Sequence, residues 1–224
     1  MSLYAKEKEI LVETAKTLVT KGYLLATGGN LSLKTDDEKS FVITPSNFDY
    51  LKMTIDDICV LDLNMNKIEG GKKPSIESSI HCLVYNNRKD VKAIIHTHQV
   101  YASTLAIIDM PIPALFDEQV RFLGKSIQII PYAPSGTVFL QKNLFKFIKN
   151  NHNAYILKNH GVICFGGSID RAIDNIELVE KCALTYLLAL CTEKKVTKIP
   201  AIVKEVAFHK LREDQKKFGI NKNR

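Results

Sequence analysis

The sequence lacks the features that mark a cysteine metal site, a secreted protein or a membrane protein. Its five cysteines are scattered and include no CxxC pair, so we expect reduced, mostly buried thiols. The most apolar candidate for a membrane span, residues 182–191, is about half of the ~20 residues that cross a bilayer. The first residues are charged and lack the apolar block of a secretion signal. These absences predict a cytoplasmic protein that does not enter a membrane.

Signatures of nucleotide and nucleic-acid binding are also missing. The stretch TGGNLS has neither the GxGxxG spacing of dinucleotide sites nor the GK[ST] of a P-loop. Lysine and arginine outnumber aspartate and glutamate by 31 to 24, but much of this excess lies in the last third of the chain. The basic residues there do not alternate with aromatic residues, as they do in proteins that bind single-stranded nucleic acid. We interpret the excess as solvated surface and predict no nucleic-acid partner.

No linker, internal repeat or low-complexity segment divides the 224 residues, which predicts a single domain over residues 1–224. We treat residues 200–224 as a C-terminal tail, either a terminal helix after Pro200 or a flexible segment. Several apolar runs are joined by tight turns. A mixed or antiparallel sheet flanked by helices therefore fits better than a doubly wound parallel sheet, and the predicted class is α/β.

Hydrophobic periodicity locates the elements of this fold. The predicted helices cover residues 4–21, 76–87, 136–150 and 168–191, with a short helix from about Val100, and with Ser135 and Ser168 as N-terminal caps. The predicted strands lie within residues 26–34, 40–47, 58–70, 91–98, 126–133 and 154–166.

Two histidines, His96 and His98, stand at the end of the apolar run IIHTH. Residues i and i+2 of a strand point to the same face, so the two imidazoles would project together. Zinc accepts nitrogen ligands, and a catalytic zinc usually takes three protein ligands. An HxH pair alone is a weak signal, and paired core or surface histidines are the alternative. His160, in KNHGV, is either the third ligand or an ordinary turn histidine, and Gly161 behind it permits close backbone approach.

Glu77 lies in KPSIESSIH, in the first turn of the helix that Pro74 and Ser75 are predicted to start. A carboxylate at that position commonly stabilises the positive end of the helix. The functional alternative is a fourth metal ligand or a general base. His81, one turn later, either orients Glu77 or is a satisfied helix histidine.

Three short uncharged segments are candidates for binding an anion, because exposed N–H groups, hydroxyls and helix starts attract phosphate. They are residues 27–32 with Gly28, Gly29, Asn30 and Ser32, residues 44–47 with Thr44, Ser46 and Asn47, and residues 74–77 with Ser75. Any one of them alone is more simply explained as a turn.

Taken in chain order, the motifs GGNLS, ITPSN, KPSIESSIH, IIHTH, IPYAPSGT and LKNHGV resemble those of the class II aldolase/adducin-like family. The resemblance spans roughly residues 5–192, and its specificity lies in the joint order and spacing of the motifs. It implies a three-layer fold with a mainly antiparallel sheet and helices on both faces. It also implies a homo-tetramer with shared sites that acts on a small phosphorylated sugar.

The resemblance further implies a divalent metal, usually zinc, and a set of site residues. The metal ligands would be His96, His98 and His160 with Glu77 close by, and the phosphate contacts would fall on Asn30, Ser46, Asn47 and Ser75, beside Gly29. Adducin-type relatives lack the full metal set, whereas this chain keeps every ligand position, which favours an enzyme.

The chain departs from the family pattern at three places. Asn47 stands where the fuculose-phosphate aldolases often have glycine, and Ile76 stands where they have a second serine. Both changes fall in the expected phosphate pocket. The stretch LFDEQ aligns with a segment in which the sugar aldolases place a tyrosine that serves a neighbouring subunit. Here Asp117 or Glu118 takes that place, either as an acid–base group or as a solvated loop carboxylate.

The resemblance therefore predicts a metal-dependent aldolase that cleaves or forms a C–C bond in a phosphorylated ketose through a metal-stabilised enediolate. Glu77 would move the proton at the enediolate carbon, and Asp117 or a neighbour's residue would serve the leaving aldehyde. The polar loops and basic surroundings would hold the phosphate. The alternatives are a ribulose-phosphate 4-epimerase or a methylthioribulose-phosphate dehydratase with the same metal site, and, in third place, a non-enzymatic binding module.

Overall fold

The computed structural model describes residues 3–220 of the chain. Within that range an eight-stranded sheet runs through the molecule in the order β4-β3-β2-β1-β5-β8-β7-β6. Its strands are β1 (Asn30–Lys34), β2 (Ser40–Ile43), β3 (Cys59–Asp62), β4 (Lys67–Glu69), β5 (Ala93–Thr97), β6 (Gln128–Ile130), β7 (Ala154–Leu157) and β8 (Gly161–Gly166). Among these described strands, β6 and β7 are a parallel pair and the other neighbours are antiparallel. The predicted α/β class with a mainly antiparallel sheet is confirmed.

The described helices are α1 (Ala5–Thr20), α2 (Ser78–Asn87), α3 (Val100–Ile107), α4 (Asp117–Phe122), α5 (Val138–Ile148), α6 (Ile169–Cys191) and α7 (Ala201–Ile220). Helices α1, α3 and α6 cover one face of the sheet, and α2 and α5 cover the other. Successive strand residues alternate between these two layers, as Ile95 and Ile94 of β5 show, since Ile95 packs into the first cluster and Ile94 into the second. Helices on both faces complete the predicted three layers.

Two predicted helix starts are corrected by the structure. Helix α2 begins at Ser78, so Glu77 occupies the N-cap position and is not in the first turn. The chain is still extended at Pro74, which bridges to Pro45, and this backbone pairing delays the helix. The prediction that Ser135 caps the helix now called α5 is wrong. Thr137 is the N-cap, and its hydroxyl accepts from the backbone N–H of Leu140 at 3.4 Å.

Other predicted features hold. Ser168 caps α6 and accepts from the backbone N–H of Arg171 at 3.2 Å. A terminal helix, α7, follows Pro200, while the end of the predicted tail, residues 221–224, lies outside the described residues. Helix α4 was not predicted, and it packs against α7 around Val120 and Ala207. Four of the five cysteines are buried and none is bonded to another.

No helix within residues 3–220 combines the length and the apolar character that crossing a membrane requires.

Candidate metal centre and active site

Three histidines converge at one end of the central strands. His96 lies near the end of β5, His98 follows that strand, and His160 lies in the turn between β7 and β8. Strands β5 and β8 are antiparallel neighbours, and Thr97 pairs with Val162, so the end of β5 meets the start of β8. The Nε2 atom of His96 lies 2.9 Å from that of His98 and 3.2 Å from that of His160.

This arrangement fits a divalent cation. Nitrogen ligands at about 2.0–2.1 Å from a tetrahedral zinc stand about 3.3 Å apart, close to the observed separations. The Nδ1 atom of His96 lies 2.8 Å from the carbonyl oxygen of Val162. A neutral ring that donates there leaves its Nε2 lone pair free for a metal. Among the described residues, His96, His98 and His160 form a group whose ligand atoms all lie within 4.8 Å of one another.

Two glycines allow the backbone to come close enough for this convergence. A β-carbon on Gly161 would lie 2.6 Å from Cδ2 of His98 and would also collide with the carbonyl oxygen of Thr97. Gly29 has a φ of +83°, and a β-carbon there would lie 2.5 Å from the carbonyl oxygen of His96. The close approach predicted at Gly161 is therefore present, and the glycine loop before β1 packs equally closely on the metal-site strand.

Glu77 lies beside the three histidines. Its Oε2 lies 3.2 Å from Nε2 of His96 and its Oε1 lies 3.5 Å from Nε2 of His160. The side-chain amide of Asn30 donates to Oε2 at 2.8 Å. The carboxylate is only 4% exposed, so it can act both as a neighbour of the cation and as a base shielded from bulk water. The two predicted roles of Glu77 are thus compatible with its position.

The surroundings shift the pKa values of two imidazoles, those of His98 and His160, and of the Glu77 carboxylate. Burial lowers the pKa of His98 and of His160 to about 4 in each case, and the nearby His96 acts in the same direction. Burial alone raises the pKa of Glu77, but the attraction of His96 and His160 and the hydrogen bond from Asn30 outweigh it and hold that pKa at about 2. Neutral imidazoles beside an ionised carboxylate are the protonation states that metal binding requires.

The three polar loops meet at the same place. The backbone N–H of Ser46 donates to the carbonyl of Lys73 at 2.9 Å, and that of Ser75 donates to the carbonyl of Thr44 at 3.2 Å. These bonds join the second and third loops, and a cavity of about 210 Å³ opens between them, the glycine loop and the histidines. It is lined by Thr27, Gly28, Gly29, Asn30, Pro45, Ser46, Asn47, Ser75, Ile76, Glu77, His98, Ser135 and His160. The five residues to which the resemblance assigns the phosphate, Gly29, Asn30, Ser46, Asn47 and Ser75, lie in this lining, whereas the candidate donors Ser32 and Thr44 are fully buried outside it.

The predicted basic surroundings are not found at the cavity. No lysine or arginine among the described residues lines it. The donors available to an anion there are neutral backbone N–H groups, hydroxyls and amides. Ile76, the departure from the family's second serine, is 55% exposed at its rim.

Asp117 lies elsewhere. It is an exposed residue at the start of α4 and does not line the cavity of its own subunit. Its neighbour Glu118 forms an ion pair with Lys181 of α6. The structure therefore does not bring Asp117 to this cavity within the chain.

The structure adds residues that the sequence did not single out for the site. The Thr27 hydroxyl donates to Oδ1 of Asn47 at 2.9 Å, and the Tyr50 phenol donates to the carbonyl of Gly29 at 2.6 Å. The hydroxyl of Ser135 lies 3.4 Å from Nε2 of His160. Thr27, Tyr50 and Ser135 each lie in or beside a turn-forming motif. Such a motif alone does not indicate which cavity a side chain reaches.

Comparisons with known proteins identify the family of this chain. The family model described as "Class II Aldolase and Adducin N-terminal domain" matches residues 9–187. A 5-deoxy-D-ribulose 1-phosphate aldolase from Bacillus thuringiensis is 33% identical over 184 residues, covering 82% of this chain and 85% of the relative. An L-fuculose phosphate aldolase from Methanocaldococcus jannaschii is 34% identical over 188 residues, which cover 84% of this chain and 99% of the relative. The solved structure of an L-fuculose 1-phosphate aldolase superposes with a TM-score of 0.87 at 33% identity. The match covers 95% of this chain and 98% of the solved chain. The chain belongs to the class II aldolase and adducin family.

Proposed function

We propose that this protein is a metal-dependent aldolase that cleaves or forms a C–C bond in a phosphorylated ketose. The observation that carries the proposal is a cavity in which the imidazoles of His98 and His160 and the buried Glu77 carboxylate face three loops of neutral anion donors, with the buried His96 ring against both imidazoles. Relatives named as sugar-phosphate aldolases, at 33% and 34% identity, point to the same reaction class.

His96, His98 and His160 would hold the ion, with Glu77 beside it. A divalent metal bound there supplies Lewis-acid chemistry that stabilises the enediolate left when the C–C bond breaks. In cleavage, the hydroxyl beside the breaking bond loses its proton and the bonding electron pair passes to the ketone fragment. In the condensation direction the ionised Glu77 carboxylate removes a proton from this carbon of the ketone, and in cleavage Glu77, after taking up a proton from solvent, returns it to the enediolate carbon.

The three loops would hold the substrate phosphate. Asn30, Ser46, Asn47 and Ser75 supply amides and hydroxyls, and Gly29 supplies a backbone N–H, since exposed N–H groups bind phosphate without a counter-charge. Anchoring the phosphate would fix the distance between the reacting carbons and Glu77.

Three finer expectations complete the proposal. Zinc is the expected ion, because three nitrogen ligands suit it. A homo-tetramer would bring Asp117 of one subunit to the cavity of another, where it could take the proton of the aldehyde-forming hydroxyl. The expected compartment is the cytoplasm. Metal analysis and measurement of the oligomeric state test the first two expectations.

The decisive assay offers a panel of ketose 1-phosphates, including those of fuculose and 5-deoxyribulose, and measures release of dihydroxyacetone phosphate. Glu77→Gln should lower kcat by about 100-fold or more, as loss of a general acid–base commonly does. The exposed Glu9→Gln variant is the control and should retain activity. Epimerised or dehydrated products without aldehyde release would contradict the aldolase assignment, as would full activity of Glu77→Gln.

A further inference from the structure

A line of polar side chains runs between β1 and α2, leading away from the cavity. On β1, Asn30 and Ser32 point to the same face, and on the helix side Glu77, His81 and Tyr85 are spaced four residues apart. Asn30 pairs with Glu77 at 2.8 Å. The Ser32 hydroxyl lies 2.7 Å from Nδ1 of His81 and 2.7 Å from the Tyr85 phenol oxygen.

This polar line is enclosed by an apolar layer. Ser32, His81 and Tyr85 are each fully buried. Their surroundings include Ile80, Val84 and other members of the cluster between α2 and the sheet. Polar groups buried among such side chains remain stable only when they are hydrogen-bonded, so this line is a specific feature and not ordinary packing.

The distances give the hydrogen bonds a direction. The Tyr85 phenol oxygen lies 2.7 Å from Ser32 Oγ but 3.5 Å from the carbonyl oxygen of Lys92. A 3.5 Å contact is at the limit of a hydrogen bond, so the phenol forms the stronger bond when it donates to Ser32. The Ser32 hydroxyl is then free to donate to Nδ1 of His81. A neutral imidazole that accepts at Nδ1 carries its proton on Nε2.

Three buried polar atoms near this end of α2 have no hydrogen-bond partner among the described residues. They are Nε2 of His81, Oε1 of Glu77 and Oδ1 of Asn30. His81 follows Glu77 by one helical turn, and Asn30 already contacts Glu77. One unmet donor and two unmet acceptors thus lie in the same buried region.

We propose that His81 is a positioning residue for Glu77: its Nε2–H group donates to the Glu77 carboxylate through one buried water, with the ring held by Ser32 and Tyr85. This contact fixes the carboxylate orientation from which Glu77 exchanges its proton with substrate. The proposal deepens the proposed function and rests on it for the catalytic consequence, whereas the contact itself does not require substrate.

The first test measures the contact in the metal-free protein without substrate. Nitrogen-15 NMR of labelled histidines, with His81 assigned from the missing signal of His81→Asn, reports which ring nitrogen carries the proton. Wild-type His81 should be the Nε2–H tautomer, and Ser32→Ala should lose that strong preference. An Nδ1–H tautomer in the wild type would overturn the proposal. If the tautomer is as expected but no ketose phosphate is cleaved, the proposed function fails and the contact stands.

The second test uses two matched variants. The amide of His81→Asn can reach Ser32 but not the Nε2 position, whereas that of His81→Gln extends to the Nε2 position. His81→Asn should lower kcat by 10- to 100-fold, the usual effect of losing such a supporting hydrogen bond, with KM and metal content nearly unchanged. His81→Gln should recover most of that loss at similar thermal stability. Equal losses in both variants, or wild-type kcat in His81→Asn, would overturn the positioning role.

Discussion

Gly161 and Thr97 approach so closely that a β-carbon on the glycine would collide with the threonine carbonyl oxygen. Gly161 begins β8 immediately after His160, and Thr97 separates His96 from His98. The distance between these two backbones therefore determines whether the third imidazole reaches the other two. The lack of a side chain at Gly161 is therefore a condition for the three imidazoles to converge.

Gly161→Ala should damage the site and the fold together. Overpacking at such a contact typically costs about 1–3 kcal/mol, which for a chain of this size is a fall in Tm of several degrees. Calorimetry and metal content measure the two effects. Gly71→Ala is the control, because a β-carbon there meets nothing within 4 Å. If Gly161→Ala matches that control in both measurements, the close approach does not matter for the site.

His160→Ala should lose the bound metal. The wild type should bind one divalent ion per chain and gain Tm when zinc is added, since ligand at 100 times Kd stabilises the native state by about 2.7 kcal/mol. His160→Ala should show neither effect at the same zinc concentration. His209→Ala is the matched control, because His209 is an exposed residue of α7. Equal metal content in the two variants would remove His160 from the ligand set.

Ser46→Ala should weaken binding of the phosphorylated end of the substrate. The lost hydroxyl removes one hydrogen bond to a charged group, about 1.5–3 kcal/mol, so KM should rise roughly 10-fold or more while kcat changes little. Ser103→Ala is the control and should leave KM unchanged. It removes a buried hydroxyl that has no partner among the described residues and does not line the cavity. An unchanged KM in Ser46→Ala would place the phosphate elsewhere.

His152 should make the fold less stable as the pH falls. Burial lowers its pKa from 6.5 to about 4, Arg88 and Lys125 act in the same direction, and a hydrogen bond with the Ser126 backbone opposes them. Between those values the unfolded chain binds the proton and the folded chain does not. The free energy of unfolding therefore falls as pH drops from 6.5 to 4, on the order of 3 kcal/mol from this group.

Substitutions of His152 and of a control histidine test this pH dependence of stability. Chemical denaturation at pH 7 and pH 4.5 should show a smaller loss of stability for His152→Phe than for the wild type. His209→Phe, at an exposed position, should behave as the wild type does. An equal loss for His152→Phe and the wild type would show that His152 does not carry this effect.

The parts of the site that follow local rules could be predicted from sequence. The period of a strand is enough to direct His96 and His98 to one face, and the run of apolar residues before them identifies that strand. The approach of His160 depends on the pairing of β5 with β8, which links residues 64 positions apart. Only the joint motif pattern, compared with a known family, pointed to it.

Tertiary contacts explain what the sequence left out. The bridge between Pro45 and Pro74 shifts the start of α2 and moves Glu77 out of the first turn. Serine is a common helix cap, which is why Ser135 was predicted as one. A turn closed by the bond from the Thr137 N–H to the Pro134 carbonyl precedes the helix, and Ser135 lies in that turn and reaches the cavity. Helix α4 has six residues, of which two are buried, too short a stretch for its periodicity to be read.

The central claim is that His96, His98 and His160 hold one cation beside Glu77, and anomalous diffraction at the zinc absorption edge tests it most directly. Crystals of the protein grown with zinc should show one strong peak per chain, about 2.0–2.1 Å from the Nε2 atom of each histidine. No peak between these rings, or an ordered site with His160 turned away from the other two, would contradict the account.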